Sequence, residues 1–308
     1  MEWKKMYFVL TALTVLACTG QRRATRQASA WPSTKEAEYE LSKNNVDATI
    51  YQHSSAEVYR LYQQCYELAT IRLEQNLARP HDKPAAVIVD IDETVLDNSP
   101  FQMENIGQGI TYKSRNWKLW SERAEAIALP GSVDFLRHAV DLKCEVYYIT
   151  NRSAEEKAST VKNLVADGFP MVDDAHVMCM ENEITDKTSR RKSVSDDYYV
   201  ALLVGDQLRD FDERFKMRPT ATSKSFVTAL GDTIKSNGPD CDLCCDTLQT
   251  VNKLYGRPTV DALRDTLSQY FIMLPNPMYG TWLDAITGKV DSVKFYKKRF
   301  FFPIFVGH

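Results

Sequence analysis

The sequence predicts an α/β protein: a parallel sheet flanked by helices, with a helical cap drawn from an insertion and the two terminal segments. Three observations carry this reading. Short β-branched apolar runs alternate with segments of helical periodicity, the pattern of a parallel sheet joined by crossover helices. The first run, Ala86-Val87-Ile88-Val89, ends in two aspartates one residue apart, Asp90 and Asp92. Later runs also end in polar groups, at Thr150 and Asn151 and at Asp206 and Asp210, and in parallel sheets ligands bind at that end of the strands.

The chain has 308 residues, 44% hydrophobic and 26% charged, with a net charge of −3. That supports an ordinary globular core and excludes a basic groove for a nucleic acid polymer. The one basic cluster, Arg190-Arg191-Lys192, reads as a helix face or an anion contact.

At the amino terminus, Lys4 and Lys5 precede an apolar stretch over residues 6–17, too short to span a bilayer and shaped like a signal peptide. It ends in Val15-Leu16-Ala17-Cys18, which resembles a bacterial lipobox. Residues 1–18 are then a lipoprotein signal ending at a lipidated Cys18, whose acyl chains hold the chain to a membrane. An ordinary cleaved signal is the alternative. Residues 19–35 form a polar tether. Thr19, rather than Asp, follows the cysteine, which favours the outer membrane of a bacterial cell envelope.

Residues 36–84 form an N-terminal helical segment. Tyr51, Val58, Leu61, Tyr62, Cys65, Leu68, Ile71 and Leu77 mark its apolar face, and Pro80 and Pro84 end it. The core spans 85–254. Its first strand covers 85–90, followed by an aromatic helical insertion over 99–128. A helix over 132–140, a strand over 145–149 and an amphipathic helix over 154–167 come next. A short strand over 176–179, a helix over 187–197 and a buried strand over 199–204 complete the alternation. Residues 255–308 form a C-terminal helical segment packing on core or cap, with a helix over 259–274. Its aromatic, basic tail leaves a homodimer open. Six cysteines follow Cys18. Cys241, Cys244 and Cys245 are locally dense and suit a disulfide in a loop better than a zinc site, which lacks a fourth ligand. Cys144 is expected as a buried thiol.

Two adjacent carboxylates cannot both ionise bare in a cleft, so a hard cation is expected beside Asp90 and Asp92. A helix cap by Asp92 or Thr94 is the simpler alternative. Five strings settle the balance: Asp-Ile-Asp-Glu-Thr-Val-Leu-Asp-Asn from Asp90, Ala-Leu-Pro-Gly from Ala128, Tyr-Ile-Thr-Asn-Arg from Tyr148, Gly-Asp-Gln-Leu-Arg-Asp-Phe from Gly205, and Pro-Asn-Pro-Met-Tyr-Gly from Pro275. Together they resemble the haloacid dehalogenase (HAD) superfamily, and within it the class C acid phosphatases, a family of bacterial surface-lipoprotein 5′-nucleotidases.

The resemblance implies a Rossmann-like HAD core and Mg²⁺-dependent hydrolysis of phosphomonoesters, 5′-nucleotides among them, through an aspartyl-phosphate. Asp90 would be the nucleophile and Asp92 the general acid and base, giving an acid optimum. Asp90, Asp92 (through its carbonyl), Asp206 and Asp210 would hold the metal. Thr150 would bind the phosphoryl group. Lys187 would balance its charge, with Lys192 the alternative, and Arg190 stands where the family carries a further lysine. Asn151, Tyr279, Trp120, Trp117 and Phe101 are the expected substrate contacts, Tyr279 first. Asn98 and Arg152 are expected to position the motif loops. The partners implied are a small phosphomonoester and, through the lipid anchor, a membrane. A phosphotransferase using the same intermediate and a non-catalytic binding lipoprotein are the alternative readings.

Overall fold

The centre of the protein is a sheet in which every strand runs the same way. In this computed structural model the described residues are 34–43, 45–215, 257–280 and 282. Contacts group residues 1–35 as one unit and 36–308 as another, and the elements that build the sheet and its cleft belong to the second. Among the described residues the strands are β1 (Ala85–Val89), β2 (Leu96–Asp97), β3 (Ile127–Ala128), β4 (Glu145–Ser153), β5 (Val177–Met180), β6 (Tyr199–Gly205) and β7 (Phe271–Met273). Five of them pair in parallel in the order β5-β4-β1-β6-β7, while β2 and β3 form a separate antiparallel pair.

β1 is buried along its whole length, as a central strand covered on both faces must be. Its side chains alternate between two clusters. Val87 and Val89 join the larger core, and Ala86 and Ile88 the smaller one with Ile149 and Val194. The larger face is covered by α3 (Ala56–Leu77) and α6 (Ser132–Asp141), and the smaller by α8 (Thr188–Asp197). Before α3 run α1 (Thr34–Lys43) and α2 (Val46–Ser54). The aromatic insertion forms α4 (Ser99–Gly107) and α5 (Ser114–Arg123), and α7 (Lys157–Ala166) follows β4.

The buried face of α3 differs from the expected one. Val58, Tyr62, Tyr66, Ala69, Leu73 and Asn76 point inward, while Leu61, Leu68 and Ile71 are 39%, 45% and 51% exposed. The reason is hydrogen bonding as well as apolarity. The Tyr62 hydroxyl donates to the carbonyls of Glu93 (3.2 Å) and Pro275 (2.7 Å), and the Tyr66 hydroxyl to that of Thr94 (2.6 Å). Asn76 Nδ2 donates to the carbonyls of Ala201 (2.8 Å) and Gln269 (2.9 Å). Buried loop and strand carbonyls find donors on this face.

A second correction concerns the carboxyl-terminal segment. Residues 259–274 are not one helix. They hold most of α9 (Arg257–Ala262), then α10 (Arg264–Tyr270) and β7. β7 extends the core sheet alongside β6, with Leu203, Val204 and Gly205 opposite Phe271, Ile272 and Met273. Three residues are too few to show a strand's period, so the run merged with the helix before it. Phe271 stacks on Phe211 with ring centroids 4.5 Å apart, which pins the added edge.

Cys144 and Cys179 are buried free thiols, and Cys65 is free and half-buried. Cys18, Cys241, Cys244, Cys245 and the aromatic tail lie outside the described residues. No helix among the described residues is long and apolar enough to cross a membrane.

The part of α3's expected face that turns outward gives a test. Leu73→Ala, at a fully buried site, should cost about 2–5 kcal/mol in urea unfolding. Leu68→Ala should stay within about 0.5 kcal/mol.

Candidate active site

The chain leaves β1 at the point where the sheet order reverses, with β4 and β5 on one side and β6 and β7 on the other. Such a point opens a crevice at the carboxyl ends of the strands. Val89 lies opposite Tyr148 of β4 and Val204 of β6, and the Asp90 amide donates to the Val204 carbonyl at 3.0 Å. Asp90, one residue past Val89, is therefore brought level with Thr150 and Asp206, each two residues past its paired position.

Asp90, Asp206 and Asp210 form a triad whose carboxylate oxygens lie within 4.8 Å of one another. Lys187, at the N-cap of α8, bridges two of them, its Nζ 2.5 Å from Asp90 Oδ1 and 2.7 Å from Asp210 Oδ1. The alternative, Lys192, is exposed and pairs with Asp196. Gly205 lets Asp210 approach, since a Cβ there would lie 2.7 Å from the Asp210 side chain. Asp206 is buried, and its Oδ2 accepts from Asn276 Nδ2 at 2.8 Å. Its Oδ1 has no hydrogen-bond partner among the described residues. A buried carboxylate oxygen without a donor, facing two further carboxylates, is the donor set a hard cation takes. Burial pushes the Asp90 carboxyl up to about 7, against the pull of Lys187. Burial, with the charges of Asp210 and Asp90, drives Asp206 well above the ordinary carboxylate range. Lys187 is held charged: burial opposes its charge, and Asp210 and Asp90 overcome that.

Asp92 is held apart from this triad. The buried Arg152 guanidinium grips it, Nη2 donating to Oδ1 at 2.7 Å and Nε to Oδ1 and Oδ2 at 3.0 and 3.2 Å. Asn98 Nδ2 donates to the same Oδ1 at 2.9 Å, and Asn98 Oδ1 accepts from the Trp120 indole at 2.8 Å. The expected positioning roles of Asn98 and Arg152 thus take a definite form. Between the two acids' loop and β2 sits Glu93, fully buried at φ 56°, a backbone state that is costly without a glycine. Its Oε1 accepts from the Asn98 amide at 2.9 Å, and burial drives its carboxyl well above the ordinary range.

Thr150 is buried, and its hydroxyl oxygen accepts from the Arg152 amide at 3.1 Å, which leaves the hydroxyl proton for another acceptor. Arg190 clamps this turn, donating to the Thr150 carbonyl at 2.5 Å and to Asn151 Oδ1 at 2.8 Å. Arg191 donates to the Asp210 carbonyl at 2.9 Å. The basic cluster therefore braces the acidic one through backbone and amide oxygens.

A cleft of about 740 Å³ opens over these groups, lined by Asp90, Asp92, Thr150, Asn151, Lys187 and Asp210 at its base. Trp117 and Tyr279 line it as expected, but Phe101 and Trp120 do not. Those two are 2% and 4% exposed, Phe101 packed edge-on against Trp117 at 5.2 Å and Trp120 committed to Asn98. They support the cleft from behind. Two functional groups were missed in the sequence. Asn276, the Asp206 partner, lay in the Pro-Asn-Pro string, where only Tyr279 was singled out. Tyr112, 59% exposed and lining the cleft, lay in the irregular insertion without a pattern to mark it.

Comparison with known proteins points one way. A profile of the HAD superfamily, subfamily IIIB (acid phosphatase), matches residues 4–282. The class C acid phosphatase from Bacillus anthracis superposes with a TM-score of 0.67 at 30% identity, over 84% of this chain and 95% of that one. A second structure of that protein has tungstate bound. Acid phosphatase 1 of Solanum lycopersicum is 30% identical over 82 residues, 27% of this chain and 32% of that protein. The stem 28 kDa glycoprotein of Glycine max is 26% identical over 130 residues, 40% of this chain and 51% of that protein. The chain thus matches between a third and a half of the length of these curated relatives.

The raised carboxyls give a stability test with a definite sign. Asp90 holds its proton up to about pH 7 in the fold, against a reference value of 3.8. The folded chain therefore binds more protons than the unfolded one between those values, and stability falls as pH rises through that window. A divalent cation replaces the protons. Added Mg²⁺ should raise the melting temperature more near pH 7 than near pH 5, measured against EDTA. An equal shift at both would break the link between cation and triad.

Proposed function

Since the chain belongs to subfamily IIIB of the HAD superfamily, the acid phosphatases, we propose that it hydrolyses phosphomonoesters, 5′-nucleotides among them, with Asp90 as nucleophile. The observation that carries this reading is the division of labour between two aspartates one residue apart. Asp90 sits in the triad beside Lys187, while Asp92 is turned to Arg152 and Asn98. Two carboxyls with different surroundings are what acid and nucleophile roles require.

Asp90, ionised once the triad has exchanged its proton for a cation, attacks phosphorus, and the bond from phosphorus to the leaving oxygen breaks as the carboxyl–phosphorus bond forms. Asp92 gives its proton to that oxygen. Its Oδ2 serves this step, because Oδ1 already accepts three hydrogen bonds and Oδ2 only a long one. Asp92, now ionised, takes a proton from water. That water attacks phosphorus and releases inorganic phosphate, restoring Asp90. Lys187 and the Thr150 hydroxyl face the phosphoryl oxygens and hold them through transfer.

Asp90, Asp206 and Asp210 fit a divalent cation, Mg²⁺ in this reading, with the unpartnered Asp206 Oδ1 as the strongest sign. Such an ion neutralises the phosphoryl charge that carboxylates would repel. Tungstate bound to the Bacillus anthracis relative is a tetrahedral oxyanion of the phosphate kind. Trp117 and Tyr279 beside the cleft offer flat surfaces to a base. The lysine-led apolar stretch ending at Cys18 supports an envelope protein attached to the outer membrane by lipid.

The test is phosphate release from a 5′-nucleotide and an aryl phosphate near pH 5 to 6, with Mg²⁺ and with chelator. Both should be hydrolysed, and chelator should remove the activity. Asp90→Asn should lower turnover by at least about a thousandfold. Full activity in that variant would sink the mechanism.

A further inference from the structure

Asn98 stands at the N-cap of α4 but its side chain does not cap the helix, although asparagine is among the best residues for that task. The amide is spent on two other groups. Its Oδ1 accepts from the Trp120 indole at 2.8 Å, and its Nδ2 donates to Asp92 Oδ1 at 2.9 Å. Asn98 is fully buried and Trp120 nearly so. The ring is itself fixed, 6.5 Å from Phe101 between centroids and with the Arg123 guanidinium over it at 4.7 Å.

A side-chain amide can turn end for end in the same space, and its two ends are chemically opposite: one accepts and the other donates. An indole N–H can only donate. Trp120 therefore admits Asn98 in one orientation, oxygen towards the ring and nitrogen towards Asp92. Arg152 is also a donor only, with Nη2 and Nε on Asp92 Oδ1 at 2.7 and 3.0 Å. Oδ1 thus meets three donor contacts, and a proton placed on it would meet them head-on. Oδ2 has one longer contact, from Arg152 Nε at 3.2 Å, and Asp92 lines the cleft. With the amide reversed, Asn98 would offer its oxygen to Asp92 Oδ1 and hold a proton there. We propose that Trp120 is a positioning residue for proton transfer: acting through the Asn98 amide, its indole N–H keeps the proton of Asp92 on Oδ2, from which it passes to the leaving oxygen.

The proposal rests on the phosphatase reading and is tested so that the two fail differently. kcat/KM, which covers the steps up to departure of the leaving group, is measured on 4-nitrophenyl phosphate and on adenosine 5′-monophosphate. The nitrophenolate leaves without a proton, whereas the alkoxide of the nucleotide needs one. Trp120→Phe keeps a ring and removes the N–H. It should lose about tenfold on the nucleotide, the size of one hydrogen bond beside a charge, and stay within about twofold on the aryl ester. Asn98→Ala should show the same selective loss, and Trp120→Phe added to it should cost nothing further. Should Trp120→Phe fail to fold, replacement of Trp120 by 3-benzothienylalanine, which keeps the shape with sulfur in place of the N–H, carries the test. Equal loss on both esters would make Trp120 structural and overturn the proposal, as would no loss. Losses that multiply in the double variant would overturn it too, because the indole would then act by a route other than Asn98. Release from the aryl ester alone by the unaltered protein would leave no proton transfer for Trp120 to serve, with the same result. In all these outcomes the phosphatase reading survives. No phosphate release by the unaltered protein from either ester would end both.

Discussion

Three carboxylates gathered at the mouths of two adjacent strands are the constraint on which the rest of this structure depends. Left alone they would repel one another in a medium that barely screens them. Lys187 resolves part of that repulsion by touching two of them at once, and breaking such a buried set costs about 3–5 kcal/mol. The position of α8 follows. Its first residues must deliver the ammonium, so Arg190 and Arg191 fasten the helix to the turn after β4 and to the carbonyl of Asp210. Both spend their charge on neutral oxygens, which adds positive potential to the acidic pocket without neutralising any one carboxylate outright.

The two aspartates after β1 show how one short segment places two carboxylates in opposite surroundings. A backbone turn at Glu93, held in a left-handed conformation, follows them directly, and the two carboxylates meet different partners. On one side Asp90 meets a lysine and two acids. On the other Asp92 meets an arginine fork and an amide that is itself oriented by Trp120. The tryptophan thereby affects chemistry from behind the cleft, through one intervening side chain.

Much of this was legible in the sequence because it is local. Strand runs, the polar residues that end them and the order of elements depend on neighbours a few positions away, and the parallel sheet and most of the triad could be read from them. What was not legible depends on distant partners. The inward face of α3 was misjudged because Tyr62 and Asn76 are chosen for carbonyls that belong to residues 93, 275, 201 and 269, which no periodicity reports. Phe101 and Trp120 were placed at the substrate because an aromatic ring in the core and one on a cleft wall look alike in a sequence. β7 was hidden by its length.

The edge strand carries a consequence for how the protein is made. Asn276, which holds Asp206, lies 70 positions further along the chain, just past the strand that completes the sheet, where the Leu274 amide is bonded to the carbonyl of Gly205. A growing polypeptide reaches Asp90 and Asp206 well before the amide that holds Asp206. Asp206 lacks that support until the segment carrying β7 and Asn276 has been synthesised and has returned to the sheet. A truncated product ending before β7 would carry every acidic residue of the triad without the strand and amide that fix one of them.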